Sequence, residues 1–296
     1  MKTFCGLPYI VLIVFFVLFY SNALNAKEKG IDVYGAIPPI AYVIEKIGGE
    51  YIIIHTFIQG GKDPHTFEPT PKQIAAIGKA SAYFSVRLPF ESQLIKKITS
   101  INPKIQIVDT TLGIKLHSAE AGHHYGFDVT RIHVELDPHI WLSPLLLKVQ
   151  VRNIFEGLMR IDPNHAAFFN KNKERFIKDV EKTHENVKKI LEPYRRRSFF
   201  VFHPAFGYFA DTYDLIQVAI ESEGKSPGPK RIALLIQKAK KENVKTIFVH
   251  SQFDHKSAKV IADAIGGSVV FVDPLARNVL TNLIDIAKML RYSMSY

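Results

Sequence analysis

Eight short runs rich in β-branched and aromatic residues recur along the chain, and helical patterns alternate with them. The first four lie before residue 110 and read IDVYGAI, YIIIHTFI, SAYFSV and KIQIVD. The last four lie after residue 197 and read SFFVFH, LIQVAI, KTIFVH and SVVFVD. Strand-like runs that alternate with helical segments are typical of βα units and parallel sheets. The pattern therefore predicts an α/β fold with a mainly parallel, helix-flanked sheet in each half of the chain.

The segment between these two halves predicts how they are connected. Apolar residues recur there at helical spacing, with one interruption at the sequence IDPN. Asp162 or Asn164 can cap a second, long helix that ends near Leu191, where the sequence EPY follows. We therefore predict two α/β lobes joined by a long helix, with a ligand-binding cleft between them. The predicted boundaries are 27–160 for the N-terminal lobe, 161–192 for the linking helix and 193–296 for the C-terminal lobe.

Residues 1–26 have the pattern of a secretory signal peptide. An apolar run from Leu7 to Tyr20 is followed by small residues at Ala23 and Ala26 and then by the polar sequence KEKG. Because this run is short for a bilayer span, we expect export and cleavage near Ala26. The alternative that stays open is a retained N-terminal anchor helix.

Cysteine content and charge narrow the classes of function. The only cysteine, Cys5, lies inside the predicted signal peptide, so the mature chain has no disulfide or thiolate metal site, and His, Asp and Glu remain as possible ligands. The net charge of +10 raises the possibility of a nucleic-acid partner. However, most lysines lie at helical spacing opposite apolar residues, which is typical of a solvated helix face. We therefore predict no nucleic-acid binding.

The tripeptide Asp-Pro-His occurs twice, as His65 in KDPHTFEPTP and as His139 in LDPHIWLSP. Each histidine follows a proline that restricts the backbone and precedes a helix start, TPKQ in the first case and SP in the second. A metal site needs such rigid presentation of imidazole, and Asp63 or Asp137 can orient the neighbouring ring through a hydrogen bond. One copy would suggest a simple turn, whereas two copies at loop-to-helix junctions favour metal binding.

Two further candidates follow predicted strands. His203 comes after SFFVF and Asp273 after SVVFV, and each precedes a proline. Open α/β sheets bind ligands at the carboxyl ends of their strands, although a strand-end histidine and a plain Asp-Pro turn are the simpler interpretations of each residue alone. Together, His65, His139, His203 and Asp273 would place three imidazoles and one carboxylate in the cleft. This set suits Zn²⁺.

The segments GGKDPHTFEPTPKQIAAIGKASAYFSV, DPHIWLSP, FHPAFGYFADTYDL and FVDPLA resemble, in order and spacing, the periplasmic solute-binding proteins of zinc and manganese ABC transporters. The resemblance covers nearly the whole mature chain. It implies two α/β lobes joined by one long rigid helix, with the metal between them at His65, His139, His203 and Asp273. It also implies a periplasmic monomer that is not an enzyme and that delivers Zn²⁺ to a membrane permease.

The identity of the third ligand bears on the choice of metal. Family members with glutamate at this position tend to bind manganese, so the resemblance implies zinc for His203. Imidazole nitrogen also favours Zn²⁺ over the harder Mn²⁺.

The chain departs from the family pattern in two places. Many zinc-binding members have a long His-rich loop, whereas the corresponding segment here has only four histidines: His117, His123, His124 and His133. These residues could form an accessory zinc site, or they could be solvated loop residues, and both alternatives remain open. His250 stands where several relatives have an acidic or small residue. His250 and Glu68 are therefore candidate neighbours of the site.

Three other functions remain open on the sequence. Manganese or iron binding within the same family is the first, and a surface adhesin is the second. The third is a zinc hydrolase, in which water would occupy the fourth metal position. No HExxH-type pairing supplies a general base beside the candidate ligands, so we predict a protein without enzymatic activity.

Overall fold

The computed structural model describes residues 30–59, 61–117, 136–221, 225–250 and 256–295. Within these ranges, eight strands form two four-stranded sheets in which all neighbouring strands are parallel. The first sheet has the order β2-β1-β3-β4 and contains β1 (Ile31–Gly35), β2 (Ile52–Thr56), β3 (Ala82–Ser85) and β4 (Gln106–Asp109). The second has the order β6-β5-β7-β8 and contains β5 (Ser198–Val201), β6 (Ile216–Ala219), β7 (Thr246–Val249) and β8 (Ser268–Phe271). Each strand lies within one of the eight sequence runs, so the predicted fold class is confirmed.

Helices flank both sheets and connect them. The described helices are α1 (Pro38–Gly48), α2 (Pro71–Ile77), α3 (Glu91–Ile101), α4 (Pro144–Ile161), α5 (Ala166–Leu191), α6 (Gly207–Thr212), α7 (Pro229–Lys241), α8 (Lys256–Ala264) and α9 (Val279–Met294). The longest is α5, with 26 residues. Within the parts of the chain that the structure describes, no helix combines the length and the apolar character needed to cross a membrane.

Helix α5 lies in the connection between the two sheets. A turn of 3-10 helix precedes it at Pro163–His165, and another follows it at Glu192–Tyr194. Neither predicted capping residue caps the helix, because the N-cap position is His165 and Asp162 instead pairs with the His165 ring (2.6 Å). The interruption in the helical pattern thus corresponds to a break between α4 and α5 that lacks a side-chain cap.

Both helix starts that follow the Asp-Pro-His tripeptides have the predicted local structure. Thr70 and Gln73 form a complete capping box at the start of α2, where Pro71 is the first helical residue. Ser143 accepts a hydrogen bond from the Leu146 amide at the start of α4, again with proline as the first helical residue. These caps fix where each helix begins, and therefore where the preceding loop ends.

One hydrophobic core extends through both halves of the chain. It includes Val33 of β1, Phe169 of α5, Val201 of β5 and Leu283 of α9, which packs along α5. A second, smaller cluster covers the other face of the second sheet. The two sheets therefore share a core, in addition to being linked by a helix.

The two sheets also share one topology. In each, the second strand in sequence lies on one side of the first strand, and the remaining two lie on the other side. The chain order reverses at β1 and β3 in the first sheet and at β5 and β7 in the second. Ligands of open α/β sheets commonly bind at the carboxyl ends of such strands.

Candidate metal centre

Three of the four predicted site residues lie together. His65, His139 and His203 each offer one ring nitrogen, and these nitrogens lie within 4.8 Å of one another. The ring centroids are 5.5 Å apart for His65 and His139, 4.6 Å for His65 and His203, and 5.2 Å for His139 and His203. His65 and His203 lie in the loops that follow β2 and β5, and His139 directly precedes a 3-10 turn before α4, so both halves of the chain contribute to one cluster.

The doubled tripeptide forms the same turn twice. Asp63 Oδ1 accepts a hydrogen bond from the His65 amide at 2.9 Å, and Asp137 Oδ1 accepts one from the His139 amide at the same distance. In this Asx turn the aspartate carboxylate holds the backbone of the histidine two residues later. Asp63 therefore holds the backbone and not the ring of His65, and its other oxygen accepts from the Thr66 hydroxyl (3.0 Å).

Two buried carboxylates hold histidine rings. Asp137 Oδ1 lies 2.7 Å from His139 Nδ1, and Glu221 Oε1 lies 2.5 Å from His203 Nδ1. Because an ionised carboxylate only accepts hydrogen bonds, each Nδ1 carries the proton, and Nε2 is the ring nitrogen with a lone pair to offer a metal. The role of Asp137 was predicted. Glu221 was missed, although it directly follows the strand run LIQVAI and so occupies the kind of position that singled out His203.

The environment favours the neutral form of His65 and His139. Burial, together with the neighbouring His139 and His203, lowers the pKa of His65 to about 2. Burial also lowers the pKa of His139, although Asp137 opposes this effect. His65 Nε2 is shielded from solvent and has no hydrogen-bond partner among the described residues. Neutral nitrogens with available lone pairs suit Zn²⁺, which binds only unprotonated imidazole.

This electrostatic environment predicts a pH-dependent stability of the metal-free protein. Because the pKa of His65 is about 2 in the folded chain, below its usual value of 6.5, only the unfolded chain takes up this proton as the pH falls below 6.5. As the pH falls, the free energy of unfolding should therefore decrease more in the wild type than in His65→Ala. The difference should be less than about 1.4 kcal/mol per pH unit, which is the limit for one proton. Urea unfolding of both metal-free proteins at several pH values between 7.5 and 5 measures this. Parallel pH profiles would contradict the prediction.

Asp273 lies outside the cluster of histidines. Its side chain is exposed, and Oδ1 accepts the Leu275 amide at 2.9 Å, which is the Asx turn of the two Asp-Pro-His segments with leucine in place of histidine. Asp273 lines a cleft of about 670 Å³ together with residues of both halves of the chain, among them His55 and Arg277. The structure therefore brings three of the four predicted residues together and leaves the fourth at this cleft.

One aromatic side chain, Trp141, packs directly beside the histidine cluster. Trp141 is fully buried, with its ring centroid 5.2 Å from that of His139, and its indole N–H donates to the Pro274 carbonyl oxygen at 2.8 Å. Phe67 packs edge to face against Phe57. The Trp141 hydrogen bond connects the segment of Asp273 with that of His139.

The other histidines noted in the sequence lie in different surroundings. His250 is 1% exposed, and its ring centroid lies 5.7 Å from that of His203. His117 stacks on Tyr208 and its Nδ1 lies 3.3 Å from Asp211 Oδ2. Glu68 is exposed and is not part of the cluster. His123, His124 and His133 lie outside the described residues.

Comparisons with known proteins agree on one family. A sequence model described as ZnuA, zinc-uptake complex component A, periplasmic, matches residues 33–294. The crystal structure of ZnuA superposes with a TM-score of 0.83 at 35% identity and covers 90% of this chain and 99% of that one. A zinc-bound ZnuA deletion mutant gives 0.82 at 36% identity with the same coverage. The zinc-binding protein AdcA of Streptococcus pyogenes is 29% identical over 280 residues, which are 88% of this chain and 54% of AdcA.

Proposed function

This chain belongs to the periplasmic zinc-uptake complex component A (ZnuA) family, and we propose that it captures Zn²⁺ and delivers it to the permease of a metal ABC transporter. The observation that carries this proposal is the convergence of three imidazoles from three separate loops. Two of these rings are held by buried carboxylates, so the site is organised before the cargo arrives.

We assign His65, His139 and His203 as zinc ligands and propose Asp273 as the fourth. No described residue hydrogen-bonds Asp273 Oδ2, which leaves one carboxylate oxygen for a metal. The Trp141 hydrogen bond to Pro274 holds the neighbouring backbone beside the segment of His139. Asp273 would have to approach the cluster when Zn²⁺ binds, because its side chain lies outside the cluster in this structure.

A binding role also fits the chemistry around the site better than hydrolysis does. A zinc hydrolase needs a general base beside a metal-bound water. The carboxylates that hold the cluster, Asp137 and Glu221, are each hydrogen-bonded to a ligand ring and so are not available as a base. We therefore propose a solute-binding protein without enzymatic activity.

We also propose that the protein is exported to the periplasm, that its signal peptide is cleaved near Ala26, and that it acts as a monomer. The lobes comprise residues 27–160 and 193–296, joined by a linking helix over 161–192. The last strand of the first sheet ends at Asp109 and the first strand of the second sheet begins at Ser198, which supports this division.

The experiment that tests the proposed function is a competition titration. The mature protein is stripped of metal, its metal content is verified, and it is titrated with Zn²⁺ in a large excess of Mn²⁺. We expect one tightly bound Zn²⁺ that Mn²⁺ does not displace, because imidazole nitrogen favours the softer ion. Preference for Mn²⁺ would support the manganese alternative within the family. The absence of a tightly bound metal would contradict the proposed function.

A further inference from the structure

His250 is a fourth imidazole beside the proposed zinc site, next to His203, and the ligand set proposed above does not use it. It directly follows β7, the neighbour of β5, and β5 is the strand that positions His203. These two strands are where the chain order of the second sheet reverses, so both histidines project from the edge at which such sheets bind ligands. His250 is also the least exposed of the four histidines, at 1%.

The distances place His250 close to the range expected for a ligand. When two imidazoles bind one tetrahedral Zn²⁺ through ring nitrogens, their ring centroids lie about 5 Å apart. The three clustered rings are separated by 4.6 to 5.5 Å, and the centroids of His203 and His250 are 5.7 Å apart. Like Asp273, His250 lies outside the cluster of His65, His139 and His203 in this structure, so its ring or the ion would have to move for the imidazole to coordinate.

The charge of the site suits a neutral fourth ligand. Asp137 and Glu221 are both buried, and together they carry two negative charges against the rings of His139 and His203. These two charges balance the two positive charges of Zn²⁺, which lowers the free energy needed to bury the ion. An imidazole in the fourth position keeps the site neutral, whereas a third carboxylate would leave one excess negative charge.

Asp273 is not positioned to bind the ion in this structure, since it lies outside the cluster and its Oδ1 holds its own turn. We propose that His250 is an alternative fourth ligand, which coordinates Zn²⁺ through its imidazole when Asp273 is withdrawn. The centre then changes from three imidazoles and one carboxylate to four imidazoles. This inference rests on the proposed zinc-binding function.

The test compares four proteins: wild type, Asp273→Ala, His250→Gln and the double variant. Zinc affinity is measured by chelator competition, and the number of bound imidazoles is measured by X-ray absorption of the zinc-loaded proteins. We expect each single change to lower affinity by less than about tenfold and the double change by more than about a hundredfold, because the two groups substitute for one another. The spectrum of Asp273→Ala should show four imidazoles.

Two results would overturn the proposal. The first is an Asp273→Ala protein whose zinc has only three imidazoles, a measurement that requires no change at residue 250. The second is a double variant no weaker than Asp273→Ala. His184→Gln, on α5 and outside the cluster, is the matched control and should bind like the wild type. Failure of the wild type itself to bind zinc would contradict the proposed function instead.

Discussion

Replacing His65 with alanine is expected to lower zinc affinity at least about a thousandfold, or about 4 kcal/mol, while the protein stays folded. The change removes one of three clustered nitrogens. It breaks no side-chain hydrogen bond among the described residues, because His65 Nε2 has no partner there and the Asp63 turn holds the backbone amide. The change should therefore lower the affinity for zinc without lowering the stability of the metal-free protein.

Chelator competition gives the zinc affinity of His65→Ala, and thermal unfolding of the stripped protein at pH 7.5 gives its stability. His184→Ala provides the control, since it also removes an imidazole but lies on α5, away from the cluster. Zinc binding by His65→Ala at wild-type affinity would show that this residue is not a ligand. It would also contradict the function of the first Asp-Pro-His.

Among the single changes, removing the carboxylate behind His203 should have the next largest effect. We expect Glu221→Ala to lower zinc affinity by about 10- to 100-fold, the usual effect of losing a group that orients a metal-bound histidine. The carboxylate accepts the hydrogen bond of His203 Nδ1 and contributes one of the two buried charges beside the proposed zinc site. Without it, the ring can rotate and the buried cation loses part of its charge balance.

Glu221→Gln separates these two contributions. The amide oxygen of glutamine can still accept from Nδ1, but its negative charge is gone. The amount by which Glu221→Gln binds zinc more tightly than Glu221→Ala measures the contribution of ring orientation. The amount by which it binds zinc more weakly than the wild type measures the contribution of the negative charge. Both variants should be compared with a change at an exposed acid such as Glu185. Equal affinity for Glu221→Ala and wild type would contradict the assigned role of Glu221.

The strands and the helix starts could be predicted from the sequence because they depend on residues that are neighbours in the chain. Strands buried in parallel sheets appear as short continuous apolar runs, and all eight runs contain a strand. The start of α2 was equally clear, because Thr70, Pro71 and Gln73 specify a capping box within four residues. Such features depend on neighbours in the chain and need no knowledge of the tertiary fold.

The position of Asp273 shows where local patterns are insufficient. A strand followed by Asp-Pro predicts a turn at the edge of the sheet, but it does not fix which side chain points to the ligand. In both Asp-Pro-His segments the aspartate forms the turn and the histidine two residues later joins the cluster. Asp273 forms the same turn, and Leu275 occupies the position of the histidine.

Glu221 and His250 depend on the order of strands in the sheet. Glu221 meets His203 because β6 lies beside β5, and His250 meets it because β7 lies on the other side. Spacing along the chain does not specify this order. The sequence therefore left His250 as a candidate neighbour, and the position of Glu221 after a strand run did not show that it would face His203.

The core that extends through both sheets has a consequence for how long zinc stays bound. Swinging the lobes apart would expose this core to water, at about 25 cal/mol for each Å² of apolar surface. It would also break the Trp141 bond to Pro274 and the 2.6 Å ion pair between Arg277 and Glu45. The residence time of the ion would then follow the fluctuations of the loops that carry its ligands, and the loaded and empty proteins would have nearly the same radius of gyration.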